Sequence, residues 1–264
     1  VLFRSALTSF SQPEKTVQFA EAALARGALA IIAESDLGLP NQLIVPEVRH
    51  LMGQWQKQYL HATQPLQAAR ILAVTGTNGK TTTTTLLGEV MKTTGKPVMV
   101  GGNIGDSLSE AAYEIPADGY LVAEVSSYQL ETVKNFKPLG AIMLNITPDH
   151  LQRHKTMEAY QAAKENIFKQ QTKAERTVLN LDDPLVAGMQ ARVPGKILCI
   201  SQEHGVTDGA YFAGNQCWAV RNNEVEPVIG TDEIHLPGRH NIENILAVIA
   251  LAYDLGITAA QLHD

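Results

Sequence analysis

Gly76-Thr77-Asn78-Gly79-Lys80-Thr81 brings together the residue types that hold a nucleoside triphosphate. Glycines let backbone N–H groups approach phosphate oxygens, and a helix start behind them adds positive potential. Lys80 would reach the outer phosphates, the Thr81 hydroxyl would ligate magnesium, and Thr82 continues the same helix start. The spacing is short: two residues, Thr77 and Asn78, separate the first glycine from Gly79-Lys80, where the standard phosphate loop has four. An ordinary strand-to-helix turn is the competing reading. The flanking pattern opposes it, because an apolar run at 71–75 precedes the loop and a threonine-rich helical stretch follows it.

Other polar residues stand where buried strands would end, the edge at which open α/β sheets bind ligands. Glu124 is the single carboxylate within the apolar run at 121–125. A buried carboxylate is costly unless paired or metal-bound, and nucleotide-bound magnesium is its natural partner here. Asn103 sits among Gly101, Gly102 and Gly105, a composition that fits close backbone approach to a ligand or a plain loop. In Thr147-Pro148-Asp149-His150, Asp149 would cap a following helix, and His150 would be a metal or phosphate contact or simply structural. Lys164 lies four residues from both Tyr160 and Phe168, inside the apolar stripe of a helix. It would either snorkel or be held in a site. Asn241 and Asn244, three apart, share a face at the start of the last long helix, with capping the simplest role for Asn241. Asp182-Asp183-Pro184 reads as a helix start.

The elements that must position these residues alternate strand and helix, the mark of an α/β fold with a mostly parallel sheet flanked by helices. Strands are expected at 71–75, 98–100, 120–125, 141–146, 177–181 and 197–201, and helices at 80–93, 156–170, 184–191 and 241–255. Between 209 and 234, short alternating segments around Asn222-Asn223 predict a small antiparallel edge. Upstream, a helix at 17–26, a strand at 28–33 and a helix at 47–60 carrying Val48, Leu51, Trp55 and Tyr59 lead into a linker at 61–69. The expected organisation is a partial amino-terminal α/β domain over 1–66 and a central ATP-binding domain over 67–264. The chain lacks an initial methionine, and residues near Thr258 look like the start of a further helix, so both ends are expected to be cut.

Composition narrows the classes. Hydrophobic residues make up 45 %, enough for a conventional core, and the net charge of −6 advertises no surface for nucleic acid. The longest nearly apolar run, 245–253, is too short to span a bilayer. No leader pattern is visible, so a cytoplasmic protein without membrane insertion is expected. Cys199 and Cys217 have neither metal nor redox spacing and are expected to be buried thiols. Asn145-Ile146-Thr147 matches a glycosylation sequon, a chance match in this strand context.

Taken as a set, these residues resemble the Mur ligases, the ATP-dependent amino-acid ligases of peptidoglycan synthesis. The likeness runs in order through Gly-Thr-Asn-Gly-Lys-Thr at 76–81, Glu-Val-Ser-Ser-Tyr-Gln-Leu-Glu at 124–131 and Asn-Ile-Thr-Pro-Asp-His-Leu at 145–151. It continues in Tyr-Gln-Ala-Ala-Lys at 160–164, Asn-Leu-Asp-Asp at 180–183 and Gly-Arg-His-Asn-Ile-Glu-Asn at 238–244. Gly-Gly-Asn-Ile-Gly at 101–105 and Ser-Ser-Tyr-Gln-Leu-Glu at 126–131 look most like the D-glutamate-adding branch. Gly-Ala-Leu-Ala-Ile-Ile-Ala-Glu at 27–34 and Val-Pro-Glu-Val-Arg at 45–49 look more like the branch that adds diaminopimelate or lysine.

The resemblance implies a P-loop ATPase-type central domain between a uridine-nucleotide domain and an absent carboxy-terminal, amino-acid-binding domain. It implies ATP and Mg2+ as cofactors, and a UDP-N-acetylmuramoyl-peptide and an amino acid, D-glutamate favoured, as substrates of a monomer. The carboxylate of UDP-N-acetylmuramoyl-L-alanine would be phosphorylated, and the amine would attack the acyl phosphate. Gly76, Thr77, Asn78, Gly79, Lys80, Thr81, Thr82, Asn241 and Asn244 would bind ATP. Lys80, Glu124, His150 and Lys164 would be catalytic, and Asn103, Ser126 and Gln129 would contact the muramoyl substrate. Thr81, Glu124, His150 and, if carbamylated, Lys164 would organise the metals. The diaminopimelate- or lysine-adding Mur ligase, a folylpolyglutamate synthase-like relative, and a nucleotide-binding fragment without ligase activity are the alternatives.

Overall fold

Residues 13–46, 48, 51, 70–103 and 108–263 are described by a computed structural model. The chain divides into two compact units, Val1–Pro65 and Leu66–Asp264.

In the first unit, helix α1 (Pro13–Ala25) precedes two short parallel strands, β1 (Ile31–Ala33) and β2 (Gln42–Ile44). The helix starts four residues earlier than expected, at a proline, whose fixed φ and missing N–H suit a first turn. Gly27 closes it in the left-handed region, with the Ala28 amide donating to the Ala23 carbonyl at 3.0 Å. The strand expected at 28–33 is shorter: pairing begins where the Ile31 amide donates to the Asn41 carbonyl. Of the helix expected at 47–60, Val48 and Leu51 alone are described, and the linker at 61–69 lies outside the described residues.

Among the described residues, the second unit carries a nine-stranded sheet. Its strands in chain order are β3 (Arg70–Thr75), β4 (Val98–Gly102), β5 (Tyr120–Glu124), β6 (Gly140–Met143), β7 (Arg176–Asn180), β8 (Lys196–Ser201), β9 (Gly209–Ala213), β10 (Gln216–Arg221) and β11 (Glu224–Gly230). Their spatial order is β11-β10-β9-β8-β7-β6-β3-β5-β4. From β4 to β9 all neighbours run parallel, and β10 and β11 complete an antiparallel edge. The expected edge therefore begins one strand later, because β9 is parallel to β8. A seven-residue link suffices there, since Gly209 pairs beside Cys199 and β9 starts near the carboxyl end of β8. Asn222 and Asn223 both have positive φ, 53° and 65°, the primed turn that matches strand twist in a two-residue hairpin.

Side chains on β3 alternate between two cores. Leu72 and Val74 pack in the cluster containing Leu87 and Met91 of helix α2 (Lys80–Lys92) and Leu246 and Ala250 of the long helix Arg239–Asp254. Ala73 faces the other cluster, with Met143, Tyr160, Ile167 and Phe168. Helices thus cover both faces of a sheet that is apolar on both sides.

Several bounds and roles differ from expectation. The helix at 156–170 runs Met157–Glu165, capped by the Thr156 hydroxyl, which accepts from the Ala159 amide at 3.2 Å. The helix at 184–191 ends at Ala187, started by Asp183 as expected, and a 3-10 turn follows at Gln190–Arg192. Asp149 is not the expected cap: it accepts the His150 amide at 2.8 Å, and His150 itself precedes the short helix Leu151–His154. Asn241 does not cap the last long helix, which begins two residues earlier at Arg239 after Gly238. Cys217 is buried, but Cys199 is partly exposed, and both are free.

Candidate active site

The chain leaves β3, visits β4 and β5 on one side, then crosses to β6 on the other. The carboxyl ends of β3, β5 and β6 therefore frame one crevice, the place where such sheets bind ligands. The phosphate loop leaves β3 and turns at Gly79, whose φ is 81°. A side chain there would be strained in the left-handed region and would collide with the Asn244 Oδ1.

Asn145, at the end of the β6 segment, grips this loop. Its Oδ1 accepts the amides of Thr77 at 3.1 Å and Asn78 at 2.8 Å, and its own carbonyl accepts the Thr77 amide at 2.9 Å. Its Nδ2 donates to the Asn78 carbonyl at 3.2 Å and to Glu243 Oε1 at 2.9 Å. The Thr77 hydroxyl accepts the Thr147 amide at 3.0 Å and lies 3.3 Å from the Tyr160 hydroxyl. The Thr77 and Asn78 amides are thus engaged within the protein. The N–H groups of Lys80, Thr81 and Thr82 open the helix, where no intrahelical acceptor exists, and they are the donors suited to phosphate. The Lys80 Nζ donates to the Thr77 carbonyl at 3.0 Å, folded back over the loop.

Glu124 ends β5 with 1 % exposure. Its Oε2 accepts the Thr81 hydroxyl at 2.9 Å, and its Oε1 accepts the Asn103 amide at 3.1 Å. Three of the expected residues therefore meet at one carboxylate. A carboxylate and a hydroxyl are hard oxygen donors of the kind magnesium takes, so this pair fits the ion. Ile104 and Gly105, also part of the glycine-rich motif, lie outside the described residues.

Ser126 and Gln129 bond each other. The Ser126 Oγ accepts the Gln129 amide at 3.3 Å, while the Gln129 Oε1 accepts the Ser126 amide at 2.9 Å, a capping box on the short helix Ser127–Leu130. His150 is exposed, with φ at 52° and its ring 5.0 Å from that of Tyr128. Among the described residues, no three histidine, cysteine, aspartate or glutamate side chains group as a metal site.

Lys164 does not snorkel. It is 1 % exposed, and its Nζ donates to the Gly76 carbonyl at 2.7 Å and to the Thr75 hydroxyl at 3.4 Å, 4.8 Å from the centre of the Tyr160 ring. Burial, reinforced by Lys80, pulls its pKa down to about 7, with Asp149 acting the other way. A large share of this amine is neutral near physiological pH.

Asn244 accepts the Thr83 hydroxyl at 3.2 Å and donates to Asn241 Oδ1 at 3.1 Å, and Asn241 donates to the Pro237 carbonyl at 2.7 Å. These two asparagines brace the loop helix against the last long helix. Asn145, Glu243 and Tyr160 were not anticipated as site residues. The signal for Asn145 was present: it is a polar residue ending a buried strand, as Glu124 is. Burial is the largest influence on Glu243 and raises its pKa, while hydrogen bonds from Asn145 and Asn180 oppose that.

The chain is similar to known proteins over most of its length. Residues 74–252 match the Mur ligase middle domain. UDP-N-acetylmuramoylalanine–D-glutamate ligase of Thermoanaerobacter sp. (strain X514) is 44 % identical over 209 residues, 79 % of this chain and 45 % of that relative. The ligase of the same name from Caldanaerobacter subterraneus subsp. tengcongensis is 46 % identical over 192 residues, 73 % of this chain and 42 % of that relative. The chain thus spans about half the length of the curated relatives it matches. A solved UDP-N-acetylmuramoyl-L-alanyl-D-glutamate–2,6-diaminopimelate ligase superposes with a TM-score of 0.70 at 32 % identity, covering 97 % of this chain and 57 % of that one. Among the described residues no helix is long and apolar enough to cross a membrane. With the middle-domain pattern running from residue 74 to residue 252 on the fold that the solved relative shares, the chain belongs to the Mur ligase family.

Proposed function

We propose that this chain is the nucleotide-binding portion of a cytoplasmic, ATP- and magnesium-dependent ligase that adds D-glutamate to UDP-N-acetylmuramoyl-L-alanine. The observation that carries the reading is the buried Glu124 carboxylate held between the Thr81 hydroxyl and the Asn103 amide, directly beside a phosphate loop. The relatives at 44–46 % identity are named for D-glutamate addition.

The residues divide the work by chemistry. The amides of Lys80, Thr81 and Thr82 and the Lys80 ammonium offset phosphate charge. Thr81 and Glu124 would hold Mg2+, which when bound offsets the repulsion between a carboxylate and the γ-phosphate. Asn103 orients Glu124 and faces the acceptor side, with Ser126, Gln129 and His150 bordering it. In its neutral form the Lys164 amine attacks CO2: its lone pair forms the N–C bond, one C=O pair moves to oxygen, and a proton leaves to water. The resulting carbamate is an anion beside the loop, and the depressed pKa supports it. Phosphorylation of the acceptor carboxylate, followed by amine attack on the acyl phosphate, is the reaction that such a site would serve.

Titration of the chain with UDP-N-acetylmuramoyl-L-alanine and with its D-glutamyl extension, each with a non-hydrolysable ATP analogue and Mg2+, tests the acceptor. Tighter binding of the alanyl form supports the reading, and exclusive binding of the dipeptide form contradicts it. That second outcome would favour a diaminopimelate- or lysine-adding enzyme. One observation speaks for it: Gly-Ala-Leu-Ala-Ile-Ile-Ala-Glu at 27–34 and Val-Pro-Glu-Val-Arg at 45–49 resemble that branch.

A further inference from the structure

We infer that Glu243 is a positioning residue for the phosphate loop, acting through Asn145. The inference rests on the ATP-binding reading above and adds a residue to it.

An asparagine amide can face either way, and the two orientations of Asn145 are not equivalent. The loop presents two donors to it, the Thr77 and Asn78 amides, and one acceptor, the Asn78 carbonyl. In the observed orientation all three are matched. In the flipped orientation the Nδ2 would face two N–H groups and the Oδ1 would face the Asn78 carbonyl, so donors would oppose donors and acceptors would oppose acceptors. Glu243 adds a fourth contact that fits the same orientation: its carboxylate accepts from the Nδ2, which holds the Oδ1 toward the two loop amides. Glu243 sits in the first turns of the last long helix, one residue before Asn244, which meets Gly79 and Thr83. Two neighbouring side chains of one helix therefore brace the loop and the helix that follows it, Glu243 through Asn145 at Thr77–Asn78 and Asn244 at Thr83.

The consequence is specific to phosphate. With Asn145 fixed, the amides of Lys80, Thr81 and Thr82 keep one arrangement before nucleotide arrives, so binding does not have to order the loop. Loss of Glu243 weakens ligands that carry a phosphate chain and leaves the nucleoside alone unaffected.

The experiment titrates the 264-residue chain with ATP–Mg2+, ADP–Mg2+ and adenosine, by calorimetry for the nucleotides and NMR for adenosine. Glu243→Ala is expected to weaken ATP and ADP about tenfold, in line with loss of a hydrogen bond to a charged group. Adenosine affinity is expected to stay within about twofold. Glu243→Gln retains an acceptor and is expected to keep ATP within about threefold of wild type. Thermal unfolding of each variant separates a folding defect from a loop defect. ATP binding by Glu243→Ala equal to wild type overturns this inference alone, as does an equal loss for adenosine and ATP. Failure of the wild-type chain to bind ATP overturns the nucleotide reading together with it.

Discussion

The two halves of the crevice are built differently. On the nucleotide side, Asn145, Glu243, Asn241 and Asn244 tie the phosphate loop to β6 and to the last helix with bonds of 2.8–3.2 Å, and the Asn241 and Asn244 side chains are buried. On the acceptor side, His150 and Asn103 are exposed, and Ser126 and Gln129 satisfy each other. Glu124 and Lys164 lie between, both 1 % exposed and both ionisable. The difference teaches that the phosphate-binding geometry is braced between β6 and the last long helix, whereas the acceptor-side residues are exposed or bonded to near neighbours. Substitutions of the residues that brace the loop should therefore cost stability and nucleotide affinity together, whereas substitutions on the acceptor side should leave nucleotide affinity unchanged.

The largest effect is expected at Gly79. Gly79→Ala combines a left-handed backbone with a collision at Asn244, and should cost about 4 kcal/mol of stability with loss of ATP binding. Thermal unfolding and nucleotide titration check it. A variant of normal stability that still binds ATP would remove the fixed loop from the account.

Lys164 comes next, and its effect depends on pH. Its folded pKa of about 7 lies below the unfolded value, so the unfolded chain binds more protons in between. The penalty for burying the ammonium is fully present below pH 7 and is relieved as pH rises toward 10.5. Relative to Lys164→Met, wild type should gain about 3 kcal/mol between pH 7 and pH 10 in CO2-free buffer. Denaturant unfolding at the two pH values measures this, and a constant difference would mean that Lys164 is not a buried base.

Smaller effects are expected across the crevice. Ser126→Ala removes a helix cap and should cost about 1 kcal/mol, read by urea unfolding, without changing ATP affinity. His150→Ala should change stability by less than about 0.5 kcal/mol, because the ring is exposed. A large destabilisation by His150→Ala would show that the acceptor side is as rigid as the nucleotide side.

Much of this layout was legible in the sequence because it follows local rules. The 71–75 run became β3, the loop and its helix followed directly, and Asn222-Asn223 turned the expected hairpin. Glu124 and Lys164 stood out as ionisable residues in apolar patterns, and both are buried. Asn145 ends a buried strand and Glu243 lies in the 238–244 motif, but nothing local in either segment shows that the two side chains meet. Their pairing is 98 residues apart in sequence and exists only after β6 and the last helix converge on the loop. The helices Ser127–Leu130 and Leu151–His154 escaped because four residues are too few for a 3.6-residue period to show.

The central claim is that the phosphate loop of this chain holds ATP–Mg2+ through preset groups. Calorimetric titration of ATP–Mg2+ into wild type and Lys80→Met tests it most directly. The account predicts saturable binding by the wild-type chain and a loss of about thirtyfold or more in the variant at unchanged thermal stability, as removal of a charge-assisted phosphate contact implies. Equal affinity for the two proteins would contradict it.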